Sequence, residues 1–391
     1  MRSDKPTLIR NENYTQYNCG LQYKITQEQE LLKQTIGELA QAEISTVASR
    51  IDWEGKVPDE LKRKLPGFGL YGITIPQEYG GAGTDFLSLV LAIEELCKAS
   101  GSLGAQISFH NAVVAEALIA SSNSILKSNL LPKLASGTLG AFSFDPKSTV
   151  SCKIENNQII LNGSSEYIMN AASAGIFLVL AKMIDRSRAI ICFSKENAGM
   201  DSGFEVGQAK KLLGMRASET ASISFRNVKL PADALAFDPQ HSGTILEQLL
   251  ARSRLAVAAQ ALGIAQASLE AAIKYSNERS QFNTKIAKFY AVKDFIAQDE
   301  IAIQSARSIT YSVASELLSI PTLQRDSAIA KVAASNAAVQ AARHSIRIHG
   351  GYGFIRDYPV ERYLRDARVT QIYIEPNEAL KGQIASSLLG I

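Results

Sequence analysis

The sequence predicts a mostly helical α+β chain in which two helical units flank a small β unit. Three observations carry that prediction. Apolar residues recur at helical spacing over the first third. A central stretch switches to short alternating or apolar runs broken by turn pairs, and long alanine-rich periodic segments close the chain. The expected divisions are a polar tail at 1–24, a helical unit at 25–142, a β unit at 143–235 and a helical bundle at 236–391.

In the first unit, Thr26 followed by Gln29 has the form of a capping box, with the hydroxyl accepting from an early N–H of the helix. Leu32, Ile36, Leu39 and Glu43 then fall at helical spacing, as do Phe86, Leu89, Val90, Ile93 and Leu96. Between the stripes lie Pro76 and the turn-forming EYGGAG. In the β unit, Ser151 to Met169 reads as short strands punctuated by Asn156-Asn157 and Asn162-Gly163, both turn-favouring pairs. GIFLVLA, AIICF and ASISFRNVKLP continue the strand pattern, with Ile223 and Phe225 alternating against polar neighbours. Helical periodicity returns from Thr244, and the alanine-rich faces suit close packing or assembly.

Composition excludes several classes. The 391 residues are 46% hydrophobic and 20% charged, as in soluble globular proteins, and enough for two or three packed units. The net charge is only +3, which gives no case for a nucleic-acid partner. Cys19, Cys97, Cys152 and Cys192 form no C-x-x-C pair and read as thiols in a reducing compartment, so a cytoplasmic location is expected. The apolar run Ile176 to Ala181 is strand-sized, and no membrane span is expected. The polar N-terminus lacks the apolar core of a secretory signal, and the sequon Asn13-Tyr14-Thr15 reads as chance.

The motif search narrows the chemistry further. His110, His241, His344 and His349 show no metal spacing, so no metal is expected. There is no G-x-S-x-G elbow, and GGAG lacks the lysine of a phosphate-binding loop. GGYGF, Gly350 to Phe354, follows a long helix; it is either a cap and turn or a place where backbone N–H groups approach an anion. The charges of DYPVERYLRDARV are those of a surface ion-pair network, which by itself is worth little.

Taken in order, however, GGYGFIRDYPVERYLRDARVTQIY resembles the C-terminal signature of the acyl-CoA dehydrogenase superfamily. GITIPQEYGGAG, LGMRASETASISFRNVKLP and NERSQFNTKIAKF fall where that family places similar segments, and the resemblance spans Ile25 to Leu389. It implies an N-terminal α-helical domain, a central β-barrel-like domain and a C-terminal four-helix bundle, assembled as a homotetramer or with a homologous subunit. It also implies FAD between the β domain and the bundle, its adenine end reaching a neighbouring subunit. The implied reaction removes two hydrogens from an acyl thioester, carried on CoA or a carrier protein. A carboxylate takes the α proton and the flavin takes the β hydride, with an electron-transfer flavoprotein as the expected acceptor.

By the same resemblance, Arg279, Gln281, Phe282, Gly350 and Gly351 match positions along the FAD pyrophosphate and adenine. Arg347 stands where a glutamine is common, and Tyr290 where another is. Tyr167 matches the aromatic beside the flavin ring and Ser143 lies at the flavin, while Arg254 and Tyr373 match substrate positions. Met169 replaces a usual threonine, and the glycine-free FDPKSTVS replaces a glycine-rich segment.

The last departure is the most consequential. The family's usual run after VTQIY is Glu-Gly-Thr, but here it is Ile374-Glu375-Pro376. The alternative base position, before Arg254, holds Ser253. Glu375 is therefore the candidate catalytic base, displaced by one residue, which turns a side chain about 100° on a helix and further on a strand. Two alternatives stand beside a dehydrogenase using Glu375: a flavoprotein of altered chemistry, and a degenerate subunit that completes an assembly with an intact homologue.

Overall fold

The structure, a computed structural model, describes residues 10–11, 14–15, 25–144, 147–185, 187–198, 203–237, 239–240, 242–317 and 321–390. Asn13, Cys19, Asp145, Pro146 and His241 lie outside them.

A hairpin of β1 (Arg10–Asn11) and β2 (Tyr14–Thr15) comes first. The N-terminal unit follows: α1 (Gln27–Leu39), α2 (Ala48–Glu54), α3 (Asp59–Lys64), α4 (Phe86–Ala99), α5 (Gly101–Phe109), α6 (Glu116–Ala120) and α7 (Ser124–Ala135). The capping box forms as expected. Gln29 N donates to Thr26 Oγ1 at 3.2 Å and Thr26 N donates to Gln29 Oε1 at 2.9 Å. The Gln29 amide also donates at 2.8 Å to Asp85, the N-cap of α4, so one side chain ties two helix starts together. Phe86, Leu89, Val90, Ile93 and Leu96 are all buried along α4.

The sheet comprises β3 (Gly140–Ser143), β4 (Ser151–Glu155), β5 (Gln158–Ile168), β6 (Ile176–Lys182), β7 (Arg188–Ser194), β8 (Phe204–Val206) and β9 (Ala221–Pro231). Its order is β3-β6-β4-β5-β9-β8, with β7 on β6. Its first strand opens at Gly140. Asn156 and Asn157, at φ 50° and 59°, form the two-residue hairpin turn between Glu155 and Gln158.

Asn162-Gly163 is different. The pair lies inside β5 at a register shift, where Asn162 faces a bulge of β9 at Arg226-Asn227, and is not a turn. A Cβ on Gly163 would sit 2.3 Å from the Thr149 carbonyl oxygen, and its φ is 105°, so only glycine lets the backbones meet there.

The bundle contains α8 (Ser242–Glu278), a hairpin of β10 (Ser280–Gln281) and β11 (Thr284–Lys285), α9 (Tyr290–Ser315), α10 (Leu323–His349), α11 (Val360–Thr370) and α12 (Asn377–Leu389). Alanines 330, 334, 337, 338, 341 and 342 of α10 are buried, and such small residues let helices approach closely.

Contrary to the expectation that no segment is long and apolar enough to span a membrane, two helical segments meet that length and composition: Gly101–Ala120 and Ser242–Glu278. They are 83% and 78% buried inside the protein and form its core rather than a lipid-facing surface. One apolar core joins α1, α4 and α5 to α8, α9 and α10. A second fills the sheet. A third, built around Phe109, Phe142, Ile176, Leu178 and Val257, lies where helices, sheet and bundle meet.

His110 stitches this junction. Gly140 N donates to its Nδ1 at 3.0 Å, while Nε2 faces the Tyr71 carbonyl oxygen at 2.8 Å, which fixes a neutral ring protonated on Nε2. Burial lowers its pKa to about 4, so it is a structural histidine.

Candidate active site

Two regions gather most of the predicted residues, one at the C-terminal end of α8 and one at Arg254 in its N-terminal half. The first is a cleft of about 440 Å³ at its C-terminal end, lined by Arg279, Gln281, Gly350, Gly351, Tyr275 and His349, among others. Sequence builds it locally. The β10–β11 hairpin turns through Phe282 and Asn283 at φ 53° and 59°. Gly350 caps α10 at φ 60°, and no atom lies within 4 Å of a Cβ added to Gly350 or Gly351. This open glycine backbone beside the exposed Arg279 guanidinium suits an anionic group. Tyr275 and His349 stack with centroids 4.1 Å apart and form the aromatic floor.

Phe282 is 90% exposed at the hairpin tip. Arg347 does not line the cleft; its guanidinium lies over the Phe295 ring, 4.6 Å from the centroid. Tyr290 is likewise exposed.

The second region surrounds Glu375. Ile374 has φ 66°, and Glu375 N donates to Tyr373 O at 2.9 Å. A bond from residue i+2 back to i around a positive φ is a γ-turn of the rare, strained kind, and a β-branched residue at its centre adds to the strain. The turn sends neighbouring side chains in different directions. Ile374 packs against the three-way apolar junction. Glu375 instead meets Arg254, which donates from Nε to Oε2 at 2.7 Å and from Nη2 to Oε1 at 3.0 Å.

Arg254 is 2% exposed, and it also donates to the Gln324 carbonyl and side chain and to Gln383. Its donors are thus used within the protein. Ser253 donates to the Leu249 carbonyl oxygen at 2.7 Å and is buried. Tyr373 packs edge-on against Phe109 at 5.4 Å and its hydroxyl donates to Gln260, which in turn donates to Ser108.

On the sheet, Ser143 and Ser165 share a buried hydrogen bond of 2.7 Å. Tyr167 is 69% exposed at φ 54°, with the Lys210 ammonium 4.6 Å from its ring centroid. Met169 packs into the junction core. The charges of the DYPVERYLRDARV segment do more than decorate a surface. Arg365 bridges Asp52 of α2 and Glu361, and buried Asp366 accepts from Met215 N, docking the LGMRAS loop onto α11.

Sequence reasoning missed Gln260, Gln324, Gln383, Tyr275 and His349. Each is an ordinary helical residue whose role depends on a partner distant in sequence.

The sequence matches the family described as Acyl-CoA dehydrogenase, N-terminal domain, over residues 26–138, and Acyl-CoA dehydrogenase, C-terminal domain, over residues 242–389. It is 36% identical over 378 residues to an acyl-CoA dehydrogenase of Bacillus subtilis (strain 168), covering 94% of this chain and 99% of that one. The chain belongs to the acyl-CoA dehydrogenase family. A short-chain specific acyl-CoA dehydrogenase of Clostridium acetobutylicum is 33% identical over 94% of this chain and 100% of its own length. The structure of butyryl-CoA dehydrogenase from Megasphaera elsdenii matches with a TM-score of 0.89 at 28% identity, over 94% of this chain and 100% of that one. Acyl-CoA dehydrogenases are FAD-dependent oxidoreductases, and the helix–sheet–helix architecture here is theirs.

Proposed function

We propose that this chain dehydrogenates a saturated acyl thioester with Glu375 as the proton acceptor. The observation that carries the proposal is the position of the Glu375 carboxylate, held at two points by buried Arg254 beside the turn that carries Tyr373 and Ile374. When bound, FAD supplies the hydride acceptor. Glu375 takes the α proton on a lone pair that Arg254 leaves free, since each carboxylate oxygen has two. Arg254 fixes the carboxylate's direction, and the apolar junction around Phe109 and Phe142 excludes water.

Arg279, Gln281, Phe282, Gly350 and Gly351 would hold the pyrophosphate and adenine of FAD, with Tyr167 and Ser143 on the ring side. Arg254 and Glu278, the last residue of α8, are about 36 Å apart along the helix at 1.5 Å per residue. That separation supports an assembly in which each cleft serves a neighbouring subunit's FAD, with an electron-transfer flavoprotein as acceptor.

Ile374 favours a second reading. It occupies the family's usual base position and faces the apolar junction, while both Glu375 oxygens are engaged, as in a subunit that has lost its base. Anaerobic titration of the purified FAD-loaded chain with saturated acyl-CoAs separates the two. Bleaching of the flavin that disappears in Glu375→Gln, with flavin retained, supports Glu375. A yellow wild type that no acyl-CoA bleaches, but that bleaches after Ile374→Glu with Glu375→Gly, supports the lost base.

A further inference from the structure

Lys331 of α10 is fully buried, yet its ammonium meets no carboxylate among the hydrogen bonds of the described residues. It donates instead to the main-chain carbonyl oxygen of Glu375 at 2.7 Å and to Asn377 Oδ1 at 2.9 Å. Asn377 is fixed in turn: its N donates to Gln371 O at 3.0 Å and its Nδ2 to Ser335 Oγ at 2.9 Å. A buried ammonium is costly unless its environment uses it. Here it clamps both sides of Pro376, immediately after the strained turn at Ile374.

We propose that Lys331 is a positioning residue for Glu375: by joining the Glu375 carbonyl to Asn377, it holds the Tyr373–Asn377 turn in the shape that presents the Glu375 carboxylate. This rests on Glu375 being the proton acceptor. The charged groups around the ammonium are Glu375 on the turn, Glu378 on α12 and Arg254 on α8. Burial outweighs the two carboxylates and lowers the Lys331 pKa to about 8.

The test uses the full-length FAD-loaded protein and two readouts: amide hydrogen exchange of peptides covering the turn, and the rate of flavin reduction by saturating saturated acyl-CoA. Lys331→Met is expected to speed exchange in the turn about tenfold while leaving the sheet and α8 unchanged. It should slow reduction about tenfold with flavin retained and half-saturation unaltered. Lys331→Arg, which keeps a cationic donor at that position, should keep the turn closed.

Unchanged turn exchange in Lys331→Met overturns the proposal, as does loosening spread through the bundle with loss of flavin. If Glu375→Gln is slow while Lys331→Met behaves as wild type, Lys331 is excluded and Glu375 stands. If Glu375→Gln reduces at the wild-type rate, the base assignment fails and takes this proposal with it.

Discussion

Lys331 shows how a single buried charge couples function to stability. Its pKa falls from 10.5 to about 8 in the folded protein because burial disfavours the charged form. Between those values the unfolded chain holds more protons than the folded one, so this group's contribution to stability rises with pH across that window. The full effect is about 3 kcal/mol, at about 1.4 kcal/mol per pH unit. Wild type should therefore gain stability over Lys331→Met between about pH 8 and pH 10.5, measured by urea denaturation. A constant difference across that range would show that Lys331 is not titrating in the fold.

At the scale of elements, turns decide where side chains go. Asn156-Asn157 is readable in the sequence because two residues with φ above zero match the twist of a tight hairpin. Replacing Asn157 by Ala should cost about 1 kcal/mol, since alanine tolerates that backbone less well, and Asn157→Gly should not. Thermal unfolding of the two variants checks this. Asn162-Gly163 has the same turn-favouring chemistry but stays in the strand opposite a bulge of β9, because β5 continues past it along β9. The γ-turn at Ile374 gives no signal at all. An isoleucine with positive φ contradicts local preference, and the clamps of Lys331 and Arg254 hold it there.

Across the whole molecule, the N-terminal helices and the bundle share one apolar core, and a buried ion pair crosses it. Arg307 of α9 donates to Glu94 of α4 at 2.7 Å, and the Tyr311 hydroxyl donates to the same carboxylate at 2.7 Å. Burial is the largest influence and raises the Glu94 pKa, but Arg307, Lys33 and the Tyr311 hydroxyl together outweigh it and the net direction is down. Arg307→Met leaves that carboxylate buried without its cation and should cost about 3–5 kcal/mol. The N-terminal helices and the bundle should lose structure together on denaturation, because they share that core. A loss under about 1 kcal/mol would show the pair to be dispensable.

The sequence by itself determined the order of helices and strands, the capping box, the hairpin turn and the membership signalled by GGYGFIRDYPVERYLRDARV. These depend on residues near one another in the chain, where periodicity and turn chemistry act. It also named Arg279, Gln281, Gly350 and Gly351, which the fold brings into one cleft. Tertiary structure alone decided that Arg347 leaves that cleft, that Arg254 is spent on Glu375, and that Lys331 pins the turn between them. Those outcomes bring α8, α10 and the turn before α12 together across long sequence separations, and set Arg347 of α10 on Phe295 of α9, so a side chain's direction there follows from packing and burial rather than from local preference.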